Sequence, residues 1–228
     1  MLHRILFGLA AALAAFGQSK TLSQGPNRME LTLERQTASG WRVVDPGFVF
    51  QKDDRLRFRF RTNFAGYLYV MNQGTSGSYS QLFPREDTGT DNRVEGAVDY
   101  VVPATEGSFR VDGPAGYDVL YWVVAPVELG RGNTYTPLPP PPERSAKVMS
   151  GLRPRCDDSI LRARGECVDS NAGAQAVPGN RRLPDNLQTV PRERSRQLVF
   201  LKQDAQSVVS SPAPLTGPVV YEFRLAHR

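Results

Sequence analysis

Six carboxylates stand in adjacent pairs along this chain, at Asp53-Asp54, Glu86-Asp87 and Asp157-Asp158. Paired carboxylates can act as general acid and base on a glycosidic bond, provided that they converge on one pocket. Neighbouring residues on an extended chain point apart, and these pairs fall in turn-forming sequence, so the fold would have to bring carboxylates from different places together. Other reaction chemistries have less to work with. The only histidines are His3 and His227; the first lies in an apolar leader and the second is expected at a frayed end. A Ser-His-Asp or Cys-His arrangement therefore lacks its base, and zinc lacks a ligand set. Asp87-Thr88-Gly89-Thr90-Asp91-Asn92 alternates oxygen ligands around a glycine, but it lacks the full acidic spacing and closing glutamate of a calcium loop. It reads better as a solvated turn. No catalytic residue, metal or cofactor is expected.

Two constellations suit binding. Arg55, Arg57, Arg59 and Arg61 alternate with Leu56, Phe58 and Phe60, which sets four guanidinium groups about 6.6 Å apart along one strand face, ready for anions. The competing reading is ordinary cross-strand pairing, with Glu30 and Glu34 on a neighbouring strand. Tyr67, Tyr69, Tyr79 and Tyr121 supply a flat sugar-binding platform if their sheet face is open; strand tyrosines otherwise cap a core.

These residues need strands to position them. The alternation over 55–61 predicts a strand with one buried and one wet face. Turn chemistry ending at Gly66 follows, then Tyr67 to Met71, and the two runs read as an antiparallel pair at the centre of a β-sandwich. Met29 to Arg35 and Trp41 to Val44 predict a first hairpin. Tyr117 to Val127 is too apolar for a wet face and predicts a central strand. Phe58, Phe60, Leu68, Val70, Leu120 and Trp122 are the expected core.

The order Phe50, Asp54, Leu56-Arg57-Phe58, Gly66-Tyr67-Leu68-Tyr69-Val70, Leu82-Phe83-Pro84, Pro103, Phe109, Gly116 and Leu120 resembles the bacterial family called domain of unknown function 4384, over about residues 47 to 127. The resemblance implies a compact β domain in an exported or envelope protein and carries no catalytic residues across. One departure is Asp53, where the family has glycine, which puts a tight positive-φ turn there in question.

The ends and the middle differ from this body. Arg4 followed by the apolar run Ile5 to Phe16 reads as a secretory signal peptide over residues 1–17, cut near Gly17, and no later stretch approaches a membrane span. Export favours a disulfide between Cys156 and Cys167, the only cysteines, with two free thiols as the alternative. Residues 129–196 hold nine of the 18 prolines and a net charge of +5, equal to that of the whole chain. Pro139 to Pro142 should be stiff and extended, and Ser145–Leu152 and Asp157–Arg164 should be short helices. Strand character returns at Gln197 to Lys202 and Val219 to Leu225.

The expected architecture is an all-β, immunoglobulin-like antiparallel β-sandwich with a long proline-rich, disulfide-pinned irregular insertion. Residues 27–128 form its main part, 129–196 the excursion, and 197–228 the strands that complete it. The excursion should add few core side chains. It should act as the working surface, with Arg153, Arg155, Arg162 and Arg164 joining the Arg55–Arg61 stripe as candidate contacts. The expected function is a non-enzymatic protein-interaction module of the cell envelope, secreted or periplasmic. Its partner would be an envelope or extracellular protein or an anionic polymer, and not nucleic acid. The alternative is a carbohydrate-binding module for cell-wall or extracellular glycan.

Overall fold

The computed structural model describes residues 27–129, 152–190 and 194–228. The apolar leader, Pro139 to Pro142 and all but the last residue of the helix expected over Ser145–Leu152 lie outside the described residues. In chain order the strands are β1 (Asn27–Thr37), β2 (Gly40–Val44), β3 (Arg55–Thr62), β4 (Gly66–Gln73), β5 (Tyr79–Phe83), β6 (Arg93–Val94), β7 (Asp99–Val102), β8 (Phe109–Arg110) and β9 (Gly116–Ala125). The helix α1 (Asp158–Arg164) and β10 (Gly173–Gln175) follow, then β11 (Val199–Gln203), β12 (Gln206–Ser211) and β13 (Val219–His227). Among the described residues no helix is long and apolar enough to cross a membrane.

The strands form two antiparallel sheets packed as a sandwich. One runs β11-β12-β1-β3-β7, with β2 also on β1 and β8 on β3; the other runs β10-β13-β9-β4-β5, with β6 on β4. The alternation in β1 and β3 decides which face of the first sheet turns inward. Leu31 lies opposite Phe60 and Leu33 opposite Phe58, while Glu34 lies opposite Arg57 on the outer face. From the second sheet Leu68, Val70, Leu120, Trp122, Tyr221 and Phe223 meet them. All six expected core residues are buried. At the centre Trp122 stacks on Phe60 at 5.6 Å between ring centroids and meets Phe58 edge-on at 5.3 Å, geometries that aromatic quadrupoles favour.

The expected hairpin of residues 55–71 is not formed. β3 and β4 belong to opposite sheets, and the chain between them crosses the core edge as an arch. Both strands carry an apolar face, and these faces meet across the core instead of lying side by side. Asn63 diverts the chain: its Oδ1 accepts from the Arg28 N–H at 2.7 Å and its own N–H donates to the Arg28 carbonyl, which ties the end of β3 to β1. Gly66 then lets β4 start hard against β9, since a Cβ there would come within 2.7 Å of the Ala125 carbonyl oxygen.

β9 is buried along its whole length, and the reason lies in the excursion. Its inward side chains join the sandwich core. Val119, Tyr121 and Val123 on its other face join a second core with Leu183, Leu187 and Val190 from the insertion. The insertion also adds β10 to the edge of the second sheet. The expectation that residues 129–196 contribute few core side chains is thus corrected: the 183–190 stretch is a lid on the outer face of that sheet.

Asp53 keeps the turn that its departure from the family pattern put in question, with φ +68°.

Candidate functional site

The stripe of arginines on β3 lies on the open outer face of the first sheet, and most of it is engaged. Arg57 Nε donates to Glu34 at 2.6 Å and Arg59 to the other oxygen of the same carboxylate at 2.9 Å. Arg57 also lies 4.4 Å above the Trp41 ring, a cation–π contact. Arg61 pairs with Asp99 at 3.7 Å and Arg55 donates to Ser108. Glu30 is taken by Arg28. Glu34 is only 3% exposed. Burial alone would raise its carboxyl, but the hydrogen bonds and charges of Arg57 and Arg59 outweigh that and hold it below the ordinary glutamate range.

The tyrosines divide in the same way. Tyr69, Tyr79 and Tyr121 lie beneath the lid and are buried, while Tyr67 is half-buried. Tyr79 donates to Asn186 of the lid at 2.7 Å, Tyr121 donates to Gln73, and the Leu129 N–H donates to the Tyr69 hydroxyl. Burial pushes the Tyr79 hydroxyl well above its usual range. These three rings form no open sugar platform, because the face that would present them is the floor of the second core.

The paired carboxylates remain apart. Asp54 binds Arg35 and the Gln51 N–H, Asp53 pairs with Arg110, Asp87 with Arg85, and Asp157 caps α1. His227 is not at a frayed end. It closes the ladder of β13 with β9, is 1% exposed, and has Nε2 at 3.3 Å from Asp118 Oδ1. That same oxygen accepts the Thr75 N–H.

The cysteines are joined: Cys156 and Cys167 form a disulfide that clasps α1. Asp157 accepts from Ser159 and Ile160 at its N-terminus, and Gly165 at φ +68° closes its C-terminus, so both ends of a very short helix are satisfied locally. The base of this hairpin is pinned to the sandwich. Asp169 accepts from the Tyr117 hydroxyl at 2.5 Å and from the N–H groups of Arg155 and Asn171. Burial opposes the charge on Asp169, but these donors prevail and keep its carboxyl below the usual range, while burial and Asp169 push the Tyr117 hydroxyl up. Gly47 receives Asp169 so closely that a Cβ would lie 2.5 Å from its carbonyl oxygen.

Held in this way, the hairpin presents Arg153, Arg155, Arg162 and Arg164, all exposed. No described residue pairs with any of the four guanidinium groups. That distinguishes them from Arg57, Arg59 and Arg61 on the sheet. Beside the hairpin runs a groove between α1 and β11. Its two parts, of ≈ 320 Å³ and ≈ 420 Å³, share Ile160 and Lys202. Val168, Ala174, Phe200 and Leu201 give one part an apolar lining, and Arg164, Asp45 and Asp204 rim the other. Lys202 is drawn to Asp45 at 2.6 Å. The sequence singled out the four arginines of the insertion but not the groove, whose walls come from three separate stretches. The local signals were Ile160 on a short polar helix and the apolar Val199 and Leu201, which remain exposed.

Residues 49–128 match the family described as Domain of unknown function (DUF4384). The matched stretch holds β3 to β9 and therefore parts of both sheets, with the arginine stripe and the four tyrosines inside it. Every residue lining the groove lies outside it. No curated protein and no solved structure matches the chain.

Proposed function

We propose that this protein is an exported, non-enzymatic interaction module of the bacterial cell envelope that binds another protein through its disulfide-bridged hairpin. The observation that carries the reading is the set of four exposed guanidinium groups, without partners among the described residues, at Arg153, Arg155, Arg162 and Arg164 of the clasped hairpin. An unpaired surface arginine keeps its five donors available for a carboxylate. Ordering the hairpin in advance lowers the entropy lost on docking. The disulfide and the apolar leader support export. The scattered carboxylates and the buried His227 support a role without catalysis. The lid over Tyr69, Tyr79 and Tyr121 removes the support that a glycan platform would need.

The test replaces Arg153, Arg155, Arg162 and Arg164 together by serine, leaving the disulfide and the cap intact. The wild-type chain should retain a partner from envelope extract of the parent organism, in a salt-sensitive way, and the variant should lose it. Equal recovery would move the contact surface to the arginine stripe on β3.

A further inference from the structure

We infer that β11 is a docking strand: an extended, acidic segment of the partner protein adds to its free edge and lays alternate side chains into the groove beside α1. The inference deepens the interaction reading above and rests on it.

The backbone carries the argument. β11 and β12 are joined by Asp204 and Ala205 alone, with Gln203 opposite Gln206 and Asp204 at φ +53°. In a hairpin closed by a two-residue turn, the flanking residues exchange hydrogen bonds, and every second residue after them does the same. Val199, Leu201 and Gln203 therefore bond to β12, and the N–H and C=O groups of Phe200 and Lys202 point away from the sheet. No described residue bonds them. Five residues of strand offer an edge of about 17 Å, and main-chain pairing along such an edge is a recurring mode of peptide capture.

Exposed edges are normally blunted, and an inward-pointing lysine is one device for this. Lys202 has that position, and its ammonium is held by Asp45 at 2.6 Å. The side chains next to the edge are apolar: Leu201 is 58% exposed, and Phe200, Val168 and Ile160 line the adjoining cavity. Phe200 and Leu201 point to opposite faces of β11, so an added strand would cover the groove side with one alternate set of side chains and Leu201 with the other.

Charge selects the class of segment. The acids around the groove are mostly occupied: Asp45 by Lys202 and the Gly47 N–H, Asp157 by the start of α1, and Asp169 by Tyr117 and two N–H groups. Arg164 on the rim has no partner among the described residues, and Arg162, Arg153 and Arg155 stand on the same hairpin. An incoming strand with carboxylates at its solvent-side positions complements them.

The experiment pans a display library of random twelve-residue peptides on the full chain and measures the selected peptides by fluorescence polarisation. Lys202→Pro removes one outward N–H without touching the β12 ladder, which an edge strand tolerates. Lys202→Ala controls for the lost Asp45 pair, and circular dichroism and unfolding midpoints establish that both variants fold alike. We expect acidic, β-branched peptides whose affinity falls at least tenfold in Lys202→Pro relative to Lys202→Ala, and severalfold in Arg164→Glu. Amide NMR shifts should map to Val199–Gln203 and α1. The inference is overturned if no peptide is enriched, if both Lys202 variants bind alike, or if basic peptides are selected. A wild-type dimer that dissociates in Lys202→Pro would overturn it too, since a second copy would then own the edge. Loss of the envelope partner in the arginine-to-serine variant, with retention in Lys202→Pro, would keep the interaction module and remove strand addition alone.

Discussion

Truncating Leu187 to alanine should destabilise the whole sandwich, although Leu187 sits in a stretch without regular strand structure. The side chain is 0% exposed and shares the second core with Tyr69, Met71, Tyr121 and Val123. Burying a leucine fully contributes roughly 1.5–3 kcal/mol. Leucine-to-alanine changes in closed cores cost about 2–5 kcal/mol once the cavity is counted. The lid is short and can settle partly into the gap, so the lower part of that range applies, about 2–3 kcal/mol. For a chain of this size each kcal/mol moves the melting midpoint by roughly 2–4 °C, giving a fall on the order of 5–10 °C. Urea unfolding followed by tryptophan fluorescence reads the same loss, because Trp122 lies on β9 between the two cores. Replacing residues 176–190 by a flexible linker goes further, exposing a continuous apolar face on the second sheet, and should abolish cooperative unfolding. A Leu187→Ala change within about 0.5 kcal/mol of wild type, as exposed positions give, would refute the lid. The excursion would then be the separable appendage that its composition suggests.

Glu34→Gln should flatten the acid limb of the stability profile. Because the folded carboxyl lies below its unfolded value, its contribution is complete above about pH 4.3 and is lost as pH falls through the folded value; denaturant midpoints from pH 2.5 to 7 read this, with no change of slope near neutrality. Replacing both Cys156 and Cys167 by serine should remove up to about 3 kcal/mol of loop-closure stabilisation for a separation of 11 residues. Hydrogen exchange should then quicken across 157–167 and remain slow in β9 and β13. Tyr117→Phe should cost about 1–3 kcal/mol, since it takes one donor from the buried Asp169 carboxylate, and limited proteolysis should cut first within 152–175.

How far the sequence could be read depended on whether the decisive contact was local. The alternation in β3, the cap at Asp157 and the disulfide all follow from neighbours in the chain or from the only cysteine pair. The arch between β3 and β4 did not. Two apolar-faced strands joined by a few turn residues fit a hairpin or a sheet-to-sheet crossing equally well, and the choice fell to Asn63 bonding Arg28, 35 residues away. β12 was hidden for a similar reason: Gln-Ser-Val-Val-Ser-Ser has little strand alternation, and only its place between β1 and β11 makes it one.

The apolar run Val119 to Ala125 of β9 held more information than a single-core reading drew from it. A strand in an antiparallel sandwich needs one apolar face, so a strand with two asks for a second cover. That cover had to come from elsewhere in the chain, and Leu183, Leu187 and Val190 supply it from a segment whose prolines and turns read as surface. The same accounting explains Glu222 on β13, which is wholly buried on the lidded side and is met by Arg181 of the insertion and by Arg224. Burial still pushes its carboxyl up against the pull of both arginines. An insertion that closes a core and supplies the counter-ion to a buried acid is part of the fold. What it leaves outside is the clasped hairpin, whose arginines at 153, 155, 162 and 164 pair with no described residue.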